Sequence, residues 1–205
     1  MWNILKFGPF VFLALGLAAC LGQPHPVKNR YALALPEAAF GEAVNAAGRR
    51  TLLLGAVTAA PVYDGRAFLY RLGPDRYESD FYNEFLAPPT RLLAEAAADR
   101  LTRASRLFRV TTAPGLVTAD YGLEIHIQDI YGDFRPDDPA RAVLNLRFVL
   151  SDLRPSAPRV ALDRLYPCAR SLPERGGAAG LAATYGLCLA DILEEVATDL
   201  DAAVH

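Results

Sequence analysis

The feature that most constrains this chain is an apolar run near its N-terminus that ends in a cysteine. Residues 1–6 carry one positive charge, on Lys6, and residues 7–17 are almost entirely apolar. The run closes with Leu17-Ala18-Ala19-Cys20, in which two small residues precede the cysteine. A short charged start, an apolar stretch and small residues at the end form the layout of a secretory signal. We therefore expect residues 1–19 to be an export signal.

The closing cysteine makes this signal resemble the bacterial lipobox. In signals of that kind the thiol receives a diacylglyceryl group, the leader is cleaved before the cysteine, and the new amino terminus is acylated. The resemblance therefore implies lipidation of Cys20, and two or more acyl chains give stable attachment to a membrane. An ordinary signal peptide and a short transmembrane anchor are the alternatives. The apolar run falls short of the roughly 20 residues that a spanning helix needs, which weighs against the anchor.

The remainder of the chain has the length of one domain. Residues 20–30 include Pro24 and Pro26 and are expected to form an acylated tether, followed by a single periplasmic α+β domain over residues 31–205. The formal net charge is −2 at pH 7. A nucleic-acid-binding protein needs a concentrated basic surface, so we expect no nucleic-acid partner.

Two cysteines remain after Cys20, namely Cys168 and Cys188. An even pair in an exported protein favours a disulfide, because the compartment is oxidising. Two separate buried thiols are the alternative, since a free cysteine packs as a small hydrophobic residue. No histidine or further cysteine lies at ligand spacing, so we predict no metal site.

Alternating and helical patterns predict an α+β fold, a two-layer sandwich of a mainly antiparallel sheet with two amphipathic helices packed on it. Leu123, Ile125 and Ile127 alternate with polar residues, as expected for a sheet with one buried face. Helices are predicted over residues 89–105 and 181–204, and loops over 37–50 and 173–180. Strands are predicted over residues 31–35, 51–60, 67–72, 108–112, 121–131, 142–153 and 159–167.

The sequence contains no recognisable catalytic constellation. It has no Gly-x-Ser-x-Gly elbow, no His-Glu-x-x-His and no phosphate-binding glycine loop. His126 lies on the polar side of a predicted strand, where a surface role is expected. Asp133, Asp137 and Asp138 could suggest calcium, but aspartate-rich turns are usually only turns. We predict no catalytic residues and no cofactor.

Residues 63–89 are rich in aromatic side chains, and they have two interpretations. They can be core beneath the first helix, or they can form a partner surface, because densely grouped exposed aromatics mark interfaces. Our candidates for a partner-contact region are Tyr77, Phe81, Tyr82 and Phe85.

The same segment resembles a known family. It reads Phe68-Leu69-Tyr70-Arg71, then Tyr77-Glu78-Ser79-Asp80-Phe81-Tyr82-Asn83-Glu84-Phe85, then Pro88-Pro89 before an amphipathic helix. This pattern is similar to the auxiliary lipoproteins of ABC-type transport systems, the PqiC-like family, and the resemblance covers most of the chain after Cys20. Many members have a tryptophan just before the prolines where this chain has Phe85. The aromatic character is kept, but an indole hydrogen bond is not.

The resemblance implies a function in the cell envelope. Family members are lipid-anchored, periplasm-facing proteins, generally of the outer membrane, and Leu21 after the anchor cysteine fits outer-membrane sorting in enterobacteria. They act with an MCE-domain protein and an inner-membrane ABC permease and ATPase that move phospholipids or other hydrophobic molecules, and they are not enzymes. A homo-oligomer is compatible with this role. The alternatives are a structural envelope lipoprotein that supports a secretion or cell-wall complex, and a hydrolase with an unrecognised site.

Overall fold

Two α-helices and one sheet of eight strands make up residues 27–37, 50–115 and 117–204, the part of the chain that the computed structural model describes. The strands are β1 (Asn29–Tyr31), β2 (Arg50–Ala59), β3 (Ala67–Arg71), β4 (Tyr77–Phe85), β5 (Phe108–Thr111), β6 (Tyr121–Asp133), β7 (Arg141–Asp152) and β8 (Arg159–Ser171). The helices are α1 (Pro89–Ala104) and α2 (Gly177–Ala202). The expected signal, Cys20 and most of the predicted 37–50 loop lie outside the described residues.

The sheet is organised around β6. On one side β6 pairs antiparallel with β7, which pairs antiparallel with β8. On the other side two strands share β6: β2 runs parallel to its first half, and β3 runs parallel to its last residues. β5 extends the β2 arm, and β4 followed by β1 extends the β3 arm. The antiparallel pairings are the longest, so most of the paired backbone is antiparallel.

Both helices cover the same face of the sheet. The strands bury one side of each alternating pattern, so Leu123, Ile125 and Ile127 are buried while Glu124 is exposed. The apolar stripe of α1 and that of α2 are fully buried against them: Leu93, Ala97 and Leu101 from α1, and Leu189, Leu193, Val196 and Leu200 from α2. The two-layer α+β prediction is confirmed. None of the helices in the described ranges is long and apolar enough to cross a membrane.

Several predicted boundaries differ from the structure. The first strand is Asn29–Tyr31, so it takes in residues that we assigned to the tether and ends at the first residue of the predicted strand 31–35. Residues 77–85, for which we predicted no secondary structure, form strand β4. α2 begins at Gly177 rather than Leu181. Glycine lowers helix propensity, and this made the first turn look like a loop.

Candidate docking surface on strands β1 and β4

Strand β4 contains a bulge where it leaves its partner β3. Ala67 pairs with Glu84 and Leu69 pairs with Ser79, so two residue steps on β3 face five on β4. The additional residues lie within positions 80–83. A bulge re-aims side chains and breaks the alternation of a strand, and bulges are common at sheet edges and functional sites.

The carboxylate of Asp80 holds this bulge in place. Its Oδ1 accepts hydrogen bonds from the backbone N–H of Tyr82 (2.7 Å) and of Asn83 (3.0 Å). Its Oδ2 accepts from the Tyr70 hydroxyl and from Asn83 Nδ2 (2.7 Å). Partial burial alone would raise the pKa of the Asp80 carboxyl, but these hydrogen bonds to the charged form outweigh burial and lower it. The ionised form of Asp80 therefore stabilises the bulge.

The bulge presents two aromatic rings to solvent. Phe81 is 59% exposed and Tyr82 is 56% exposed, and their rings meet edge to face with centroids 5.3 Å apart. The Lys28 ammonium lies 5.2 Å from the centroid of the Phe81 ring, which is within cation–π range. We call Lys28, Phe81 and Tyr82 the aromatic patch.

A buried carboxylate next to the patch collects three cationic side chains. Glu84 is 4% exposed, and it accepts from Lys28 Nζ (3.2 Å) and Arg30 Nε (3.0 Å) and pairs with Arg66 Nη2 (3.2 Å). The hydrogen bonds from Arg30 and Lys28, together with the charge of Arg66, hold the pKa of the Glu84 carboxyl below its ordinary value. Three cations share one carboxylate, so this group carries net positive charge.

Contacts with Glu84 and with Asn83 hold β1 against the sheet. β1 runs parallel to β4, and Asn29 Nδ2 and the Tyr31 hydroxyl both donate to Asn83 Oδ1, at 3.1 and 3.2 Å. Because β1 has only three residues, these side-chain contacts and those of Glu84 supply much of its attachment.

The residues after β1 are fixed against α2. Leu33 is buried in the core, and the backbone at Ala34 passes directly over Gly186. A Cβ added at Gly186 would lie 2.1 Å from the Ala34 carbonyl oxygen, so this crossing requires glycine. The start of the described chain is therefore held by contacts with both β4 and α2.

The four predicted contact residues do not form one surface. Phe81 and Tyr82 lie together at the surface, and their contact with a partner stays a prediction. Tyr77 is the first residue of β4 and is partly exposed, with its ring edge to face on Tyr131 at 5.6 Å. Phe85 is 3% exposed, so its assignment to an exposed surface is wrong.

Phe85 belongs to an aromatic cluster in the core. Its ring contacts Phe68 edge to face at 4.6 Å and lies 6.0 Å from Tyr185 of α2. These partners are distant in sequence, which is why the local pattern did not reveal the burial.

Among the members of the site that sequence reasoning missed are Lys28, Asp80 and Glu84. Lys28 was read as part of the tether. The signal for Asp80 was present, because an aspartate two and three residues before exposed backbone N–H groups is typical of a side-chain-capped turn. Glu84 gave no signal, since its three cationic partners lie on two other segments.

The remaining candidate residues make contacts within the fold. Cys168 and Cys188 form a disulfide that joins β8 to α2, with Cα atoms 5.7 Å apart. Asp133 and Asp138 pair with Arg135. The ring of His126 shares a hydrogen bond with the Thr58 hydroxyl at 2.9 Å. Within the described ranges, no three His, Cys, Asp or Glu side chains group as a metal site would require.

Solved structures share this fold. Protein XCC0632 from Xanthomonas campestris, a DUF330 protein, superposes with a TM-score of 0.71 at 20% identity, covering 85% of this chain and 95% of that one. An uncharacterized protein superposes with a TM-score of 0.67 at 15% identity, covering 85% and 99%. The hypothetical protein CT253 from Chlamydia trachomatis has a TM-score of 0.53 at 11% identity, covering 77% and 98%. At these identities the likeness establishes the fold alone.

Sequence comparison identifies the family. No curated protein matches this chain at a significant level. A family model does match, and it spans residues 31–197, from the last residue of β1 into the last turns of α2. Because the match covers most of the sequence, the chain belongs to the family of ABC-type transport auxiliary lipoprotein components.

Proposed function

We propose that this protein is a non-enzymatic accessory subunit of an ABC/MCE-type system that moves phospholipids or other hydrophobic molecules across the cell envelope. In this proposal Cys20 is acylated, the lipid anchor lies in the outer membrane, and the folded part faces the periplasm. Its partners are an MCE-domain protein and the inner-membrane permease and ATPase.

The family match over residues 31–197 is the observation that carries the proposal. It supports a role beside an ABC transporter, and the Leu17-Ala18-Ala19-Cys20 pattern supports anchoring ahead of the matched region. The exposed aromatic patch and the net positive group around Glu84 offer surfaces for contact with other envelope components.

The test is crosslinking of the intact lipoprotein in cells, followed by mass spectrometry of the proteins and lipids in the purified complex. The matched control is Cys20→Ala, which removes the acylation site and leaves residues 27–204 unchanged. We expect an MCE-domain protein to be recovered with the wild type, and we expect the control to carry no acyl group and to keep its leader.

Two results would contradict the proposal. Recovery of secretion or cell-wall proteins without an MCE-domain protein would instead support a structural envelope lipoprotein. A membrane-attached wild type that carries no acyl group by intact-mass measurement would exclude the acyl anchor.

A further inference from the structure

We infer that the aromatic patch on the β4 bulge contacts the headgroup region of the bilayer that holds the acyl anchor. The inference rests on the proposed function only for the anchor at Cys20, and it needs no transporter partner. In this inference a lipid surface, and not a protein, covers Phe81, Tyr82 and Lys28.

The position of the patch on the chain supports this assignment. Val27 follows Cys20 by seven residues, and a chain of that length spans at most about 25 Å even when fully extended. Lys28 is the next residue and lies over the Phe81 ring. The patch is therefore held within a short distance of the anchored bilayer.

The rigid seating of β1 keeps it there. β1 is fastened to β4 through Glu84 and Asn83, and the following backbone is fixed over Gly186. The short segment after Cys20 therefore leads directly into a strand that is fixed to the sheet. This orients the side of the sheet that carries β1 and β4 toward the membrane.

The chemistry of the patch suits the bilayer interface. Aromatic side chains and leucine partition into the boundary between headgroups and acyl chains, and lysine keeps its charge among the headgroups while its stem covers apolar surface. Phe81, Tyr82 and Lys28 combine both properties within one contact cluster. Lys28, Arg30 and Arg66 outnumber the two carboxylates, those of Glu84 and Asp80, and this favours anionic headgroups.

The patch is also presented in a fixed conformation. Asp80 binds the backbone N–H groups of Tyr82 and Asn83, so the bulge holds both rings outward before any partner arrives. A surface that is already ordered loses less conformational entropy on binding.

Tryptophan fluorescence tests the inference directly. The only tryptophan in the sequence is Trp2, within the expected signal, so a variant of the processed lipoprotein carries a single reporter. We would reconstitute Phe81→Trp and Tyr82→Trp lipoproteins into vesicles of phosphatidylethanolamine and phosphatidylglycerol, with and without dibrominated phosphatidylcholine. Intact-mass measurement confirms acylation separately, so failure of the anchor is distinguished from failure of the patch.

The matched control is Val160→Trp. Val160 is 64% exposed, similar to Phe81, but it lies on β8 and pairs with Ser151, beside the beginning of β6. The bulge is on the opposite arm, where β3 pairs with the end of β6. We expect the Phe81→Trp and Tyr82→Trp emission to shift to shorter wavelength and to lose intensity with brominated lipid, and the Val160→Trp emission to do neither.

Three results would overturn the inference. Absence of quenching at both bulge positions would show that the patch does not reach lipid. Equal quenching at Val160→Trp would show that the fold meets the bilayer without a preferred face. A blue shift that depends on protein concentration and not on lipid would assign the patch to a second copy of this chain. A melting temperature close to wild type for each variant shows that the reporters sit in the native fold.

Discussion

Phe81 and Phe85 are the same residue type on the same strand, four positions apart, and their environments are opposite. Phe81 is 59% exposed on the bulge, whereas Phe85 is 3% exposed in the core. In a regular strand, residues four apart share a face. The bulge at positions 80–83 breaks that alternation, so one ring is turned to solvent while the other remains in the core.

The difference shows that neighbours from other segments decide what an aromatic residue does. Phe85 meets Phe68 and Tyr185, so it contributes to stability. Phe81 meets Tyr82 and Lys28, both at the surface, so it is available for contact with a membrane. Substitutions at these positions should therefore separate stability from binding.

The largest expected effect is that of Phe85→Ala. Removing the ring leaves a cavity between Phe68 and Tyr185, and substitutions of this kind cost about 3–5 kcal/mol of unfolding free energy. Urea denaturation measures the change, with Phe81→Ala as the matched control. A Phe85→Ala variant as stable as the control would show that Phe85 does not contribute more to the core than Phe81 does.

Gly186→Ala comes next, because it disturbs the seating of the chain start over α2. The new methyl group would meet the Ala34 carbonyl oxygen, and overpacking of this kind costs about 1–3 kcal/mol. Denaturation together with hydrogen exchange at residues 33–35 measures the effect. The control is Gly65→Ala, where an added Cβ meets no atom within 4 Å. Equal stability of the two variants would contradict the close approach of the Ala34 backbone to Gly186.

Asp80→Asn should loosen the bulge without touching the core. Hydrogen bonds to a charged group contribute about 1.5–3 kcal/mol, and asparagine lacks the charge, so we expect a loss near the lower end of that range. Asp75→Asn in the exposed turn before β4 is the control. Lipid quenching at Phe81→Trp should weaken in the Asp80→Asn background, and unchanged quenching would show that Asp80 does not order the patch.

The same variant makes a prediction about pH. The pKa of Asp80 is lower in the folded state than its ordinary value, so its contribution is complete above the unfolded pKa of about 4 and is lost as the pH falls through the folded pKa. The stability gap between wild type and Asp80→Asn should be constant near neutral pH and shrink below about pH 4. Denaturant titrations at several pH values measure it, and a gap that widens on acidification would refute this role.

The smallest effect on stability is expected for the double variant Phe81→Ser with Tyr82→Ser. Surface substitutions usually change the unfolding free energy by less than about 0.5 kcal/mol, and both rings are mostly exposed. Thermal unfolding checks this. A loss comparable to that of Phe85→Ala would mean that the rings are part of the core, and it would remove the basis for the membrane inference.

Local pattern was sufficient for much of the fold. The alternation in β6 predicted which face is buried, because strand periodicity depends only on neighbours along the chain. The Pro88-Pro89 pair predicted the start of α1, where the observed helix begins at Pro89. Residues 77–85 were harder, because a bulge interrupts the alternation that marks a strand.

The site shows where local pattern was insufficient. Glu194 and Glu195 of α2 are exposed and pair with Arg100 of α1 and Arg164 of β8. Glu84 likewise gathers cations from two separate segments. Ion pairs between distant segments leave no periodic signal, so sequence reasoning could not identify them.

The sequence by itself determined the faces of the longest strands and the family to which the chain belongs, and it predicts export through the run that ends at Cys20. These properties reside in contiguous residues: the run ending at Cys20, the alternating strands and the motif around β4. Only the tertiary structure decided that Phe81 is exposed and Phe85 buried, and that Cys168 is bonded to Cys188. Burial and pairing depend on which distant segments come to lie beside a residue, and that is fixed only when the sheet and helices pack together.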